Sequence, residues 1–394
     1  MGSVVTATVA AGIDWSIDHV AVIDIERVTL REIRIRLTEP FRISSGTTHE
    51  RRILLVEVTD RGGHSGWGEC VAGETPHYSP ETVDTAWLAL TRWIIPSIRG
   101  RTFPEPADLF YHLASAIRGH PMARAALEMA AWDLYARLGD VPLARLVGGV
   151  QSEVPTGISL GLQERPTDLA HRAAAAVAAG YRRIKLKIEP HRDHDFVAEV
   201  RAAVGPDTVL SVDANAAYQP DDAKELERLD AFSLAMVEQP FDGEDLLGHA
   251  DLQRRLVTPI CLDESITSVA RAADAVRLGS AQFINIKPGR VGGHTAARAI
   301  HDFAADHRIG VWCGGMLETG IGRAHNVALA SLPYFTHPGD LSPSARYWVR
   351  DIVTPEWTMT DGRVRVPFHR PGIGVDVDVA FVEEITSRHV AMET

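Results

Sequence analysis

The chain has 394 residues, enough for two or three domains. Hydrophobic residues make up 45% and charged residues 23%, the balance of a soluble globular protein, which excludes collagen-like, low-complexity and small disulfide-rich classes. Forty Lys and Arg stand against 52 Asp and Glu, a net charge of −12, so the chain on average repels a phosphate backbone and no nucleic-acid partner is expected.

Nothing in the sequence approaches the roughly 20 apolar residues of a membrane span, so no membrane partner is expected. The first dozen residues carry no Lys or Arg, and Asp14 follows at once. That is no signal peptide, and the cytoplasm is the expected compartment. Residues 1–22 read as a loosely attached extension. The three cysteines, Cys70, Cys261 and Cys313, are too few and too scattered for a disulfide framework. Two lie in apolar runs, which predicts buried free thiols.

Residues 23–150 read as an α+β region. Residues 25–37 alternate, with Ile33, Ile35 and Leu37 on one face and Arg34 and Arg36 on the other, the period of a half-buried strand. Residues 53–59 form a second strand. Between them the polar stretch 39–46 predicts a mobile hairpin loop. A third strand begins at Gly66-Trp67-Gly68-Glu69. Helical patterns follow over 80–93, 106–117 and 121–138, the last with Ala125, Met129 and Trp132 on one stripe. Strands first and helices after give a small α+β domain.

From about Val154 the pattern changes. Short apolar strands at 155–160, 183–187, 209–213, 235–238, 260–263, 283–286 and 311–313 alternate with helices. Thr167-Asp168 is expected to cap the first helix, over 169–179, and Gly180 to end it. Strands joined by helical crossovers lie parallel. Both a doubly wound sheet and a closed barrel fit that order.

Ionisable residues decide between them. Lys187, Asp213, Glu238, Asp263 and Lys287 each end one strand, at intervals of 24 to 26 residues, one βα unit each. In a barrel these ends share one rim around a common axis. In an open sheet the outer ones could not meet. Any one of them alone could be a helix cap or a solvated turn residue. Five unrelated caps would not keep this interval and order of types. Three carboxylates on adjacent strands repel one another, and a hard divalent cation with oxygen ligands relieves this. No His or Cys belongs to the trio, so zinc is disfavoured and Mg²⁺ (or Mn²⁺) is expected. The flanking lysines would approach a substrate from opposite faces, and near a cation a lysine's pKa falls toward that of a base. Cys313 has no nearby His and reads as core. His77, His249, His294, His325 and His337 lack ligand spacing and read mostly as surface or loop residues.

These motifs carry a resemblance. Lys185-Leu186-Lys187, Asp213-Ala214-Asn215, Glu238-Gln239-Pro240, Asp263-Glu264-Ser265 and Lys287-Pro288-Gly289-Arg290 together resemble the enolase superfamily, muconate-lactonising subgroup. Trp312-Cys313-Gly314-Gly315-Met316-Leu317-Glu318-Thr319-Gly320 and Pro338-Gly339-Asp340 resemble its N-acylamino-acid (N-succinylamino-acid) racemase and o-succinylbenzoate synthase branch. The likeness begins near Ile25 and includes Pro40-Phe41-Arg42 and Gly66-Trp67-Gly68-Glu69-Cys70. It implies an α/β fold, a modified TIM barrel (β/α)7β over 151–350, with an N-terminal α+β capping domain over 23–150 completed by 351–394. It implies metal ligands at Asp213, Glu238 and Asp263, acid/base lysines at Lys187 and Lys287, and positive charge from Lys185. One lysine would remove an α-proton from a small carboxylate substrate. Lys185 and the metal would stabilise the resulting enediolate. In a racemase the other lysine returns a proton to the opposite face; in the synthase hydroxide leaves instead. The resemblance also implies a substrate pocket including Asn215, Ser159, Phe41, Gly314, Met316 and Phe335, with Arg290 and Glu264 supporting the site. If the Arg290 guanidinium approaches Lys287, it depresses that lysine's pKa, as a racemase requires. Gly73 and Ser45 stand where relatives carry Met and Phe, which enlarges or polarises the pocket. A homo-oligomeric racemase is the first expectation and the synthase the alternative. A Schiff-base barrel lyase does not account for the carboxylates. A non-catalytic scaffold does not account for the intact set.

Overall fold

The computed structural model describes residues 22–394. The expected N-terminal extension lies outside them apart from Val22. The first region opens with three antiparallel strands, β1 (Ile25–Ile43), β2 (Gly46–Asp60) and β3 (Ser65–Cys70). Ile33, Ile35 and Leu37 are buried while Arg34 and Arg36 are exposed, as the alternation predicts. The expected mobile loop is shorter than predicted. β1 runs through it to Ile43, and Phe41 pairs with Thr48 after a register shift. Leu162 donates from its backbone N–H to the Arg42 carbonyl at 2.9 Å, so the hairpin is tied to the second region.

Helices Pro106–Ala116 and Pro121–Leu138 follow. The first predicted helix forms over Val83–Ala89 and passes through a wider turn, Leu90–Ile94. Ala125, Met129 and Trp132 are buried together. The Pro121–Leu138 helix is in fact buried nearly all round, its Glu128 and Asp133 included, and sits between the two regions.

Two short strands, β4 (Glu153–Pro155) and β5 (Ile158–Leu160), replace the single predicted one. Helix Pro166–Ala178 starts with Pro166 in its first turn and Arg165 at the cap, not Thr167-Asp168. Pro is already shaped for that position, and Asp168 pairs with Arg165 instead. Then come β6 (Ile184–Lys187), β7 (Leu210–Asp213), β8 (Val237–Glu238), β9 (Ile260–Leu262), β10 (Phe283–Ile286) and β11 (Gly310–Cys313). Strands β5 to β11 form one parallel sheet in sequence order. Residues 335–340 span the gap between the outer strands. Val311 bridges to Phe335 and Thr156 to Gly339, both in parallel. Asp340 donates its N–H to the Cys313 carbonyl, and Gly157 to the Gly339 carbonyl, at 2.9 and 2.7 Å. This is the (β/α)7β barrel.

The period of two along each strand sorts the barrel interior. Ile184 and Leu186 face the helices; Lys185 and Lys187 face inward. Met236, Cys261, Trp312 and Phe283 pack together as an apolar plug inside the barrel, below the charged layer. All three cysteines are free and buried, as expected.

The C-terminal chain serves both regions. β12 (Val353–Thr354) pairs with β14 (Asp376–Val377), and β13 (Arg363–Arg365) pairs with β4 beside the barrel. β15 (Thr386–Glu393) instead extends the N-terminal sheet along β1.

Buried carboxylates of the first region dock onto helix N-termini of the second. Glu128 accepts the N–H groups of His294 and Thr295 at 2.9 Å each, the Thr295 hydroxyl at 2.6 Å and the Trp132 indole N–H at 2.8 Å. Gly293 has φ +117°, and a Cβ there would lie 2.1 Å from the Glu128 carboxylate, so the contact requires glycine. Glu69 accepts from the Thr319 hydroxyl at 2.6 Å and the Gly322 N–H at 3.0 Å. Orphan N–H groups and the positive end of the helix dipole stabilise such carboxylates. Glu128→Ala would take the acceptor from two backbone N–H groups and the Trp132 indole N–H, and unfolding free energy is expected to fall by about 2–4 kcal/mol. Urea unfolding measures it; an unchanged midpoint would contradict this docking role.

Candidate active site

The strand ends and the first hairpin enclose a cavity of about 570 Å³, the size of a small-molecule site. Lys185, Lys187, Asp213, Asn215, Lys287, Ser159, Met316 and Phe41 line it, all anticipated from the sequence. Glu238 and Asp263 lie beneath, fully buried.

The charged layer is tightly paired. Lys187 Nζ donates to Asp213 Oδ2 and Asn215 Oδ1, both at 2.6 Å. Lys287 Nζ donates to Asp263 Oδ2 at 2.7 Å and lies 3.2 Å from the Tyr78 hydroxyl. Lys185 Nζ lies 2.7 Å from Asp340, 3.0 Å from Glu238 and 3.2 Å from Asp213, and 4.7 Å from the centre of the Trp312 ring. Asn285 donates to Glu238 Oε1 at 2.8 Å. Gln239 accepts from the Asp263 and Ser265 N–H groups, which fastens the end of β9 to the end of β8.

Burial opposes ionisation of Asp213, but Lys187 and Lys185 outweigh it and hold its carboxyl well below the usual carboxylate range. Glu238 is pushed up to about 7 by burial and by the Asp213 charge. Glu264 is pushed up to about 8 by burial and by Asp263. Asp340 is held down at about 2: burial opposes this, and Lys185 and Arg183 overcome it. Burial disfavours the charged forms of Lys287 and Lys185, but Asp263 and Asp340 lead the carboxylates that raise both. Arg290 does oppose the charge on Lys287, as expected, without reversing that balance. Arg290 is buried, and it binds the Asp263 carboxylate and the Ile266 carbonyl instead of facing Lys287.

Other expectations need correction. Phe335 is no wall of the cavity. It is buried and stacks on His301 with ring centres 5.3 Å apart, because residue 335 bridges to β11 with its side chain in the hydrophobic core. Gly314 is buried and does not line the cavity, whereas Gly315 does. Gly314 makes room for its neighbours: a Cβ there would lie 2.3 Å from Asn285 Oδ1 and 2.7 Å from Lys287 Cε. His249, His294 and His325 are buried rather than on the surface. His294 Nε2 and His325 Nδ1 lie 2.9 Å apart, and burial pushes both imidazoles down. Glu264 Oε1 accepts from the Asn215 side-chain amide at 3.2 Å.

The sequence motifs include Asp340 and Gln239 but give them no site role, and nothing in the sequence singles out Asn285 or, among the residues that line the cavity, Tyr78 and the hairpin residues 47–51. Asp340 had a signal: it lies 27 residues beyond Cys313, one more step of the same ladder. Tyr78 comes from a loop of the first region, where no period announces it.

The donor set suits a hard cation. Asp213, Glu238 and Asp263 offer only oxygen from three adjacent strands, and the buried Glu264 Oε2 has no hydrogen-bond partner. Among the described residues, no three His, Cys, Asp or Glu side chains are gathered closely enough to hold a metal as they stand; oxygens of Asp213, Glu238 and Asp263 are paired with Lys187, Lys185 and Lys287 at 2.6, 3.0 and 2.7 Å. Carboxylate oxygens fit Mg²⁺ or Mn²⁺ better than softer ions.

Residues 25–148 match the mandelate racemase / muconate lactonizing enzyme N-terminal domain, and residues 168–381 match the enolase C-terminal domain-like family. The chain is 50% identical over 364 residues to an o-succinylbenzoate synthase of Geobacillus kaustophilus, covering 92% of this chain and 96% of that protein. It is 47% identical to an N-succinylamino acid racemase of Amycolatopsis sp, covering 92% and 98%. A crystal structure of an enolase superfamily member from Listeria innocua superposes with a TM-score of 0.90 at 38% identity, covering 94% of this chain and 99% of that one. By sequence along nearly its whole length and by fold, the chain belongs to the enolase superfamily, in the mandelate racemase / muconate lactonizing enzyme group.

Proposed function

We propose that the chain is a divalent-metal-dependent N-acylamino-acid racemase using Lys187 and Lys287 as its two acid/base groups. One observation carries this reading: both ammonium groups open into one cavity, on strands flanking the three carboxylate-bearing strands. The relative named N-succinylamino acid racemase supports it.

Lys187 removes the α-proton from one enantiomer, and Lys287 delivers a proton to the opposite face. For the other enantiomer the roles exchange. Asn215 orients Lys187; Asp263 and Tyr78 orient Lys287. Lys185 places positive charge where the substrate carboxylate gains electron density. Asp213, Glu238 and Asp263 would hold Mg²⁺ or Mn²⁺, which when bound supplies further positive charge beside that carboxylate. The setting we propose is cytoplasmic, with a small-molecule carboxylate as substrate and a homo-oligomer as the assembly.

The synthase is the second reading, favoured by the 50% identical relative of that name. Optical rotation of each pure enantiomer of an N-acylamino acid separates the two. Decay to zero from both sides is expected. Constant rotation with every N-acylamino acid tried, alongside dehydration of the cyclohexadiene precursor, would overturn the first reading.

The hairpin over residues 39–50 should also close more tightly over a bound substrate and exclude water. Limited proteolysis is expected to cut there more slowly at saturating substrate; equal cutting rates would count against closure.

A further inference from the structure

Three carboxylates share the charge of Lys185. Asp213 and Glu238 belong to the proposed metal set; Asp340 does not. Asp340 lines the cavity beside Lys185. An unopposed carboxylate there would cancel the lysine's charge and repel a substrate carboxylate. Asp340 is not unopposed. Its Oδ2 lies 2.7 Å from Lys185 Nζ, and its Oδ1 accepts from Arg183 Nη2 at 2.9 Å. One carboxylate thus bridges two cations.

Arg183 immediately precedes β6, and the period of two that turns Lys185 and Lys187 inward turns Arg183 inward beneath them. It is 1% exposed. Its guanidinium carbon stands 3.9 Å from the centre of the Trp312 ring, on the apolar plug. Gly157 packs against it, and a Cβ there would lie 3.1 Å from Arg183 Nε. Nε and Nη1 are buried without hydrogen-bond partners, and among the described residues Asp340 is its one ionic partner. A charge pair this deep stabilises a fold little more than apolar side chains of the same size would. What the arrangement supplies is charge at the rim. Two cations about one carboxylate leave a net positive charge beside the cavity; without Arg183 the remaining pair is neutral.

We infer that Arg183 is a positioning residue for the reaction: without touching substrate, it holds and neutralises Asp340, and so leaves the charge of Lys185 available to the enediolate. This rests on the role proposed for Lys185, which the racemase and synthase readings share. It assigns a task to a buried cation that neither acid/base chemistry nor metal binding uses.

Charge compensation tests it. Arg183→Met removes the charge and keeps an unbranched apolar chain over Trp312. Its kcat for racemisation of N-acetylphenylalanine is expected to fall by about 10- to 100-fold. KM should change less, because the enediolate carries more negative charge than the bound carboxylate. Arg183→Gln, which keeps a hydrogen-bond donor without the charge, should lose as much; Arg183→Lys, which keeps the charge, should lose less. Adding Asp340→Asn to Arg183→Met removes the carboxylate that Arg183 offsets, and the double variant is expected to regain about tenfold in kcat over Arg183→Met. Should Arg183→Met not fold, Arg183→Gln with and without Asp340→Asn carries the same comparison. A residue needed only for packing would give a double variant no faster than the single one. That result, or wild-type kcat in Arg183→Gln, would overturn the inference. If the wild type racemises no N-acylamino acid but dehydrates the cyclohexadiene precursor, the racemase reading fails while the Arg183 assignment is still decided, by the same variants compared on the dehydration.

Discussion

Asp213→Asn, Glu238→Gln and Asp263→Asn are each expected to lower kcat/KM on the order of 1,000-fold or more. A neutral amide oxygen is a poor ligand for a hard divalent cation. Each substitution also removes the counter-charge of a buried lysine. Asp213 pairs with Lys187 at 2.6 Å and Asp263 with Lys287 at 2.7 Å, and breaking a buried pair from one side costs about 3–5 kcal/mol of stability. Circular dichroism at a temperature well below unfolding should still show the folded chain. Chelation separates the two effects, since it leaves every ion pair in place. Dialysis against EDTA should abolish turnover, and Mg²⁺ or Mn²⁺ should restore it. Undiminished turnover after rigorous chelation would contradict the metal-dependent reading.

Much of the barrel is legible because its chemistry is periodic. One charged residue per βα unit gives a ladder from Lys187 to Lys287, and a strand's period of two sends each such residue inward. The same ladder reaches Asp340, whose side chain binds Lys185 at 2.7 Å. Its role is not legible in the sequence because the segment that carries it forms only isolated bridges, not an apolar strand. Phe335 was misplaced for a related reason. Its aromatic character fits a substrate wall, yet it packs into the core beside β11, where only the closing register of the barrel decides its direction. Tyr78 and Arg51 come from the first region. Their approach to the site depends on how two regions dock, which no local pattern encodes. Arg290 shows the limit of spacing: three positions beyond Lys287 it could face that lysine, but the short helix Pro288–Val291 turns it onto Asp263 instead.

The division of labour between Lys187 and Lys287 is the central claim, and α-proton exchange in deuterium oxide tests it most directly. Proton magnetic resonance follows loss of the α-proton signal from each pure enantiomer of an N-succinylamino acid. Wild type should exchange both. Lys287→Ala should exchange only the enantiomer whose α-proton faces Lys187, and Lys187→Ala only the other. Racemisation should fall about 100- to 10,000-fold in both variants. Residual exchange should be slower than in wild type, since each lost ammonium group also weakens stabilisation of the carbanion. Opposite single-enantiomer exchange in the two variants is the predicted result. Exchange of both enantiomers by either lysine variant, or none by wild type while it dehydrates the cyclohexadiene precursor, would contradict it.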